Sequence, residues 1–134
     1  MEAAAGYSSK SLAEKLGIKP GTWLWAFNPT ANYKALIGDL PPGAAMVDDP
    51  TAADILHAFI ADRAELSSQA AFLTQTPAPG AMLWISWPKK ASPRFVDLTE
   101  GGVREIILPT DWVDVKVCAV DADWSGLKFL RRRA

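Results

Sequence analysis

Apolar and polar positions change period block by block along the chain. Leu12 and Leu16, four apart between a serine-rich start and Gly17, predict a short capped helix. The aromatic and aliphatic run TWLWAFNP then predicts a strand, ended by Asn28 and Pro29. Tyr33, Leu36, Ile37 and Leu40 return to helical spacing before PPG, and AAMV follows as a short second strand. ADILHAFI reads as a third strand with His57 inside it. Asp62 caps DRAELSSQAAFLTQ, the longest predicted helix, with Leu66, Ala70 and Leu73 on one face. AMLWISW is a fourth strand, apolar on both faces, as a parallel strand covered by helices requires. Thr99 caps a further helix in LTEGGVREIILPTDW, which Gly101 and Gly102 weaken by about 1 kcal/mol each against alanine. VDVKVCAVD alternates through Val113, Val115, Val117 and Ala119, and WSGLKFLRRR follows it, with Trp124-Ser125-Gly126 as the tight turn of a closing hairpin.

The order strand, helix, strand, strand, helix, strand, helix, strand, strand constrains the fold. With right-handed crossovers it gives a three-layer Rossmann-like α/β sandwich. The sheet is mostly parallel with about six strands, the first and third adjacent near its middle, and an antiparallel hairpin closes one edge at the carboxyl terminus. At 134 residues and 49% hydrophobic content, the chain suffices for one core and is short for two, so a single domain is expected over residues 1–134. Residues 1–8 are expected to be flexible.

Charge removes some function classes. A formal net charge of -1 gives no global attraction to nucleic acid or to an acidic membrane surface, so any charged site is local. Arg131-Arg132-Arg133 reads as a solubilising end rather than a phosphate contact. Nothing approaches the roughly 20 apolar residues of a membrane span, and Glu2 stands where an export signal carries positive charge. A single cysteine, Cys118, allows no internal disulfide and fits a reducing compartment. A cytoplasmic location is the expectation.

The stretch ISWPKKASPRF supplies the candidate chemistry. Its strand stops at Pro88, and Lys89 and Lys90 follow beside Trp87. In open α/β sheets ligands sit beyond the carboxyl ends of the parallel strands, where strand order reverses. That rim gathers Asn28, Asn32 and Tyr33 after the first strand, Arg63 after the third, and Trp87, Lys89 and Lys90 after the fourth. Lysines suit phosphate or carboxylate, an indole offers a stacking face, and asparagine reads polar edges. A small anionic or nucleotide-like ligand is expected there.

The usual routes to catalysis are missing. There is no nucleophile elbow and no phosphate loop. His57 has no second histidine with which to share a metal, so no metal site is expected and His57 reads as a satisfied core residue. Cys118 reads as a small hydrophobe. Trp23, Trp25 and Trp84 are expected in the core, and Trp87, Trp112 and Trp124 are the tryptophans free to anchor a protein partner or a second copy.

In layout, the second half, from the third strand through APGAMLWISWPK to VDVKVCAVDADWSGLKFLRRR, resembles the carboxyl half of a class I methyltransferase. That resemblance implies S-adenosylmethionine and a glycine-rich turn after strand one, with a ribose-binding acid after strand two that falls on Asp48 or Asp49. The turn here, AFNPTANYK, has no glycine between Ala26 and Lys34. A more detailed likeness runs through Lys15-Leu16-Gly17-Ile18-Lys19-Pro20-Gly21, Trp87-Pro88-Lys89-Lys90, Val113-Asp114-Val115-Lys116-Val117-Cys118 and Trp124-Ser125-Gly126-Leu127. It resembles a bacterial family of small proteins, domain of unknown function family 3052, which brings no activity with it. The sequence therefore supports a non-catalytic module that binds a small molecule or a partner. The alternative is a methyltransferase with an atypical cofactor loop.

Overall fold

The computed structural model describes residues 11–132. In chain order the elements are α1 (Leu12–Leu16), β1 (Trp23–Phe27), α2 (Tyr33–Ile37), β2 (Ala45–Met46), a 3₁₀ turn (Pro50–Ala52), β3 (Ile55–Phe59), α3 (Arg63–Gln75), β4 (Met82–Pro88), α4 (Glu100–Ile107), β5 (Trp112–Ala119) and β6 (Trp124–Arg131). The strands form one sheet in the order β2-β1-β3-β4-β6-β5. Strands β2, β1, β3 and β4 run parallel, while β6 is antiparallel to both β4 and β5. This is the mostly parallel Rossmann-like sandwich expected, with β1 and β3 side by side. The flexibility expected of residues 1–8 lies outside the described residues.

Alternation along the strands explains the three layers. In β3 and β4, Leu56, Ala58, Leu83, Ile85 and Trp87 pack with Leu66 and Leu73 of α3 and Val103 and Ile107 of α4. Ile55, Phe59 and Trp84 point the other way, against Leu12 and Leu16 of α1 and Tyr33 and Ile37 of α2. Every residue of β3 is therefore buried, and a slip of one residue would exchange its two faces. Each fully buried large apolar side chain contributes about 1.5–3 kcal/mol. The buried indoles are also satisfied: Trp84 Nε1 donates to the Leu16 carbonyl at 3.1 Å, and Trp112 Nε1 to that of Thr74 at 2.9 Å.

Helix ends follow the local chemistry. Ser11 and Glu14 form a reciprocal capping box on α1, and Gly17 ends it in the left-handed conformation. Asp62 accepts from the Glu65 amide at the start of α3, and Thr99 from the Gly102 amide at the start of α4. Gly102, costly for helix propensity, leaves room for Arg63: a Cβ there would meet the Arg63 Nη1 at 2.6 Å.

Several expectations are corrected. Trp124-Ser125-Gly126 is not the hairpin turn but the start of β6, and the turn lies at 120–123, where Asp121 Oδ1 accepts from the amides of Asp123 and Trp124. Trp87, Trp112 and Trp124 are buried and cannot serve as surface anchors, whereas Trp23, on the short outer end of the sheet, is 45% exposed. Arg131 is no solvated tail: it lies 4.6 Å from the centroid of the Trp112 ring and donates to the Pro77 carbonyl at 3.0 Å. Arg133 lies outside the described residues. The Val113-to-Ala119 alternation is broken by a bulge between Asp114 and Lys116.

Candidate ligand site at the carboxyl ends of the strands

Strand order reverses between β1 and β3, so a ligand in this fold is expected above their carboxyl ends. The chain leaves β1 through Asn28, at φ 50°, a left-handed conformation that asparagine tolerates. Asn28 Nδ2 donates to Glu65 Oε2 at 3.1 Å, and Glu65 Oε1 accepts from the Ala61 amide at 2.8 Å. A side-chain bridge thus runs from the end of β1 to the first turn of α3, and it holds a carboxylate where an anion would sit. Pro29, next in the turn, offers no N–H. Beyond β2, Asp49 Oδ1 accepts from the amide and hydroxyl of Thr51, which hold its carboxyl below the usual carboxylate range and use it to cap the 3₁₀ turn. Asp48 stays exposed.

The expected rim residues do not converge. Arg63 turns toward α4, pairing with Glu105 at 2.8 Å, and lines an open cleft of about 830 Å³ with Thr99, Gly101 and Arg104 on the opposite layer. Trp87 lies in the core on that same side of the sheet. Lys89 is tied to the β5–β6 turn: its amide donates to the Asp123 carbonyl at 2.7 Å and its Nζ to that of Asp121 at 2.8 Å. Lys90 is exposed.

Tyr33 is buried, and it closes an internal chain of hydrogen bonds. Its hydroxyl lies 2.8 Å from His57 Nδ1, and His57 Nε2 lies 2.7 Å from Ser86 Oγ. A neutral imidazole donates from one nitrogen and accepts at the other, so both hydroxyls find a complementary partner. Burial pushes His57 down to about 3 and the Tyr33 hydroxyl well above its ordinary range. His57 and Ser86 are 0% exposed, so this serine–histidine pair meets no substrate. His57 is the satisfied core residue expected from the sequence. Cys118 is half-buried, and its thiol is raised by burial, partly offset by Lys15 and Lys116.

Of the expected set, Asn32 lines a cleft at the rim. This cleft, about 260 Å³, is lined by Thr30, Ala31, Asn32, Arg94, Asp121, Asp123 and Trp124. Arg94 has no ion pair among the described residues. Asn32 precedes α2 without capping it. Asp121 is committed through one oxygen to its own turn, and Thr30 Oγ1 is buried with no hydrogen-bond partner among the described residues. The site therefore sets a cation beside two carboxylates. Sequence reasoning missed Arg94, Asp121 and Asp123. The hairpin held the signal, because antiparallel pairing sets Trp124 opposite Pro88 and delivers 121–123 to the end of β4. Among the described residues no group of three or more His, Cys, Asp or Glu side chains can hold a metal.

Comparison with known proteins bears on the fold. No family model matches the chain, so the likeness to family 3052 rests on its motifs alone. No curated protein matches either. Solved structures do. A SAM-dependent methyltransferase from Aquifex aeolicus aligns with TM-score 0.61 at 11% identity, over 88% of this chain and 86% of its own. Magnesium protoporphyrin IX methyltransferase from Synechocystis PCC 6803, with bound SAM, aligns with TM-score 0.53 at 12% identity, over 90% of this chain and 74% of its own. A possible exported protein from Bordetella parapertussis aligns with TM-score 0.61 at 13% identity, and the chain spans 66% of its length. The architecture is methyltransferase-like. The turn above β1 differs from a glycine-rich cofactor turn: a side-chain bridge ties Asn28 to Glu65, and Pro29 removes a donor.

Proposed function

We propose that the chain is a non-catalytic small-molecule-binding domain on a methyltransferase-like Rossmann sheet, and that its ligand occupies the rim cleft. The observation that carries this reading is the convergence of Arg94, Asp121 and Asp123 on one cleft. The volume, about 260 Å³, lies just under the usual range for drug-sized ligands. The two signs of charge favour a small zwitterion of amino-acid size over a purely anionic ligand: its carboxylate toward Arg94, its ammonium toward Asp123. Lys89 supports the site by fixing the turn that carries Asp121 and Asp123.

Calorimetric titration with a pooled set of free α-amino acids tests the reading. Saturable heat that disappears in Arg94→Ala and in Asp123→Ala, with melting temperatures unchanged, supports it. Absence of saturable heat overturns it.

A second reading is favoured by the solved neighbours, several of them SAM-dependent methyltransferases: this chain binds S-adenosylmethionine through an atypical loop. That requires the Asn28–Glu65 bridge to open. Saturable S-adenosylmethionine binding that tightens in Glu65→Gln or Asn28→Gly, and ignores Arg94→Ala, establishes this reading in place of the first.

A further inference from the structure

On the face of the sheet covered by α1 and α2, the last two strands carry lysines that nothing in the fold explains. Lys128 of β6 stands opposite Trp84 on one side and opposite Lys116 of β5 on the other. Trp84 belongs to the core under α1, which fixes the face on which Lys128 lies. Like charges directly opposite across a strand pair are destabilising, and folds ordinarily avoid them.

The pair is created by the bulge. In unbroken register from Asp114 opposite Phe129, Val115 would face Lys128 and Lys116 would face Leu127. The extra residue moves Lys116 across to Lys128, the kind of side-chain re-aiming that bulges perform near functional sites. Burial, with Lys116 and Lys19 as further positive charges, lowers Lys128 from its ordinary value. Among the described residues neither Lys116 nor Lys128 has an ion-pair partner. In a chain of net charge -1, this cluster is a local concentration of unrelieved positive charge.

We propose that Lys116 and Lys128 form a second binding site, separate from the rim cleft, for a multivalent phosphate: a di- or triphosphate chain, free or carried on a nucleoside. Lys116 and Lys128 stand directly opposite on adjacent strands, and a bound polyanion relieves the repulsion the bulge builds in. Lysine acts here as a point charge on phosphate, which needs no fork geometry.

The test is titration of the full chain with inorganic triphosphate and with ATP, by calorimetry and by the Lys128 Cε signal in NMR. Expected are saturable binding of both, an upward shift of the Lys128 titration in the complex, and at least a tenfold weaker affinity in Lys116→Gln and in Lys128→Gln. Lys34→Gln, on α2, leaves affinity unchanged. Equal affinity for the two ligands assigns recognition to the phosphates alone, while tighter ATP binding adds a nucleoside contact at the same lysines. Lack of saturation, or the same weakening in Lys34→Gln as in the strand variants, overturns the site. Lys116 is exposed, so its variant keeps the test readable even if Lys128→Gln disturbs packing.

Discussion

Acidification should destabilise this protein in a pH range that belongs to one side chain. His57 is the only histidine in the chain. Its imidazole is 0% exposed, and burial pushes it from 6.5 in the unfolded chain to about 3 in the fold. The native state therefore keeps His57 neutral while the unfolded state takes up a proton below pH 6.5, so stability is full above that value and falls as pH drops toward 3. The slope is about 1.4 kcal/mol per pH unit, hence about 2 kcal/mol lost by pH 5, a large part of the ~5–15 kcal/mol that holds a domain of this size together. The carboxyls held low by partners, Asp49 and Asp114, contribute stability that is present above the ordinary carboxylate value near 3.8 and lost below it, so they act at more acid pH. Urea unfolding at pH 7.5, 6 and 5 measures the effect, with His57→Gln as control. The variant is less stable at pH 7.5, because Tyr33 and Ser86 lose a partner matched to both, but its stability is nearly flat from 7.5 to 5. Equal pH slopes in wild type and variant would refute the assignment to His57.

Gly126 packs where a Cβ would lie 3.0 Å from Ser86 Oγ and 3.4 Å from the Trp84 ring, so Gly126→Ala should cost about 1–3 kcal/mol through overpacking, read as a lower melting temperature. Asp62→Ala removes the cap of α3 and should cost about 1 kcal/mol, while Asp62→Asn should recover most of it in the same melts. Cys118, half-buried and with its thiol raised, should react with a disulfide reagent at pH 8 far more slowly in the native state than in urea; equal rates would contradict its placement.

The sheet was readable from the sequence because its signals are local. Pro88 ends β4, Asp62 and Thr99 cap their helices, and the apolar runs of β3 and β4 announce strands covered on both sides. Those same runs hid which tryptophans face the core. In a doubly covered strand both faces are apolar, and Trp87 packs as deeply as Trp84. The Val113–Ala119 alternation was misleading because a bulge inserts one residue without any glycine or proline to mark it. The expected rim residues lie apart for a geometric reason. Residues after β1, β3 and β4 share a rim in chain order, but α3 turns Arg63 toward α4, and α2 turns Tyr33 inward to His57. Arg94 and Asp123 come together only through the antiparallel return of β6.

The central claim, that the ligand site has moved from the switch point to the rim cleft, is tested most directly by NMR chemical-shift mapping. The labelled protein is titrated with the pooled α-amino acids and, separately, with S-adenosylmethionine. The account predicts that the amino acids move the signals of Thr30, Asn32, Arg94 and Asp123 while S-adenosylmethionine leaves Asn28, Asp48 and Glu65 in place. Shifts at Asn28, Asp48 and Glu65 on addition of S-adenosylmethionine, with the rim cleft silent to the amino acids, would contradict it.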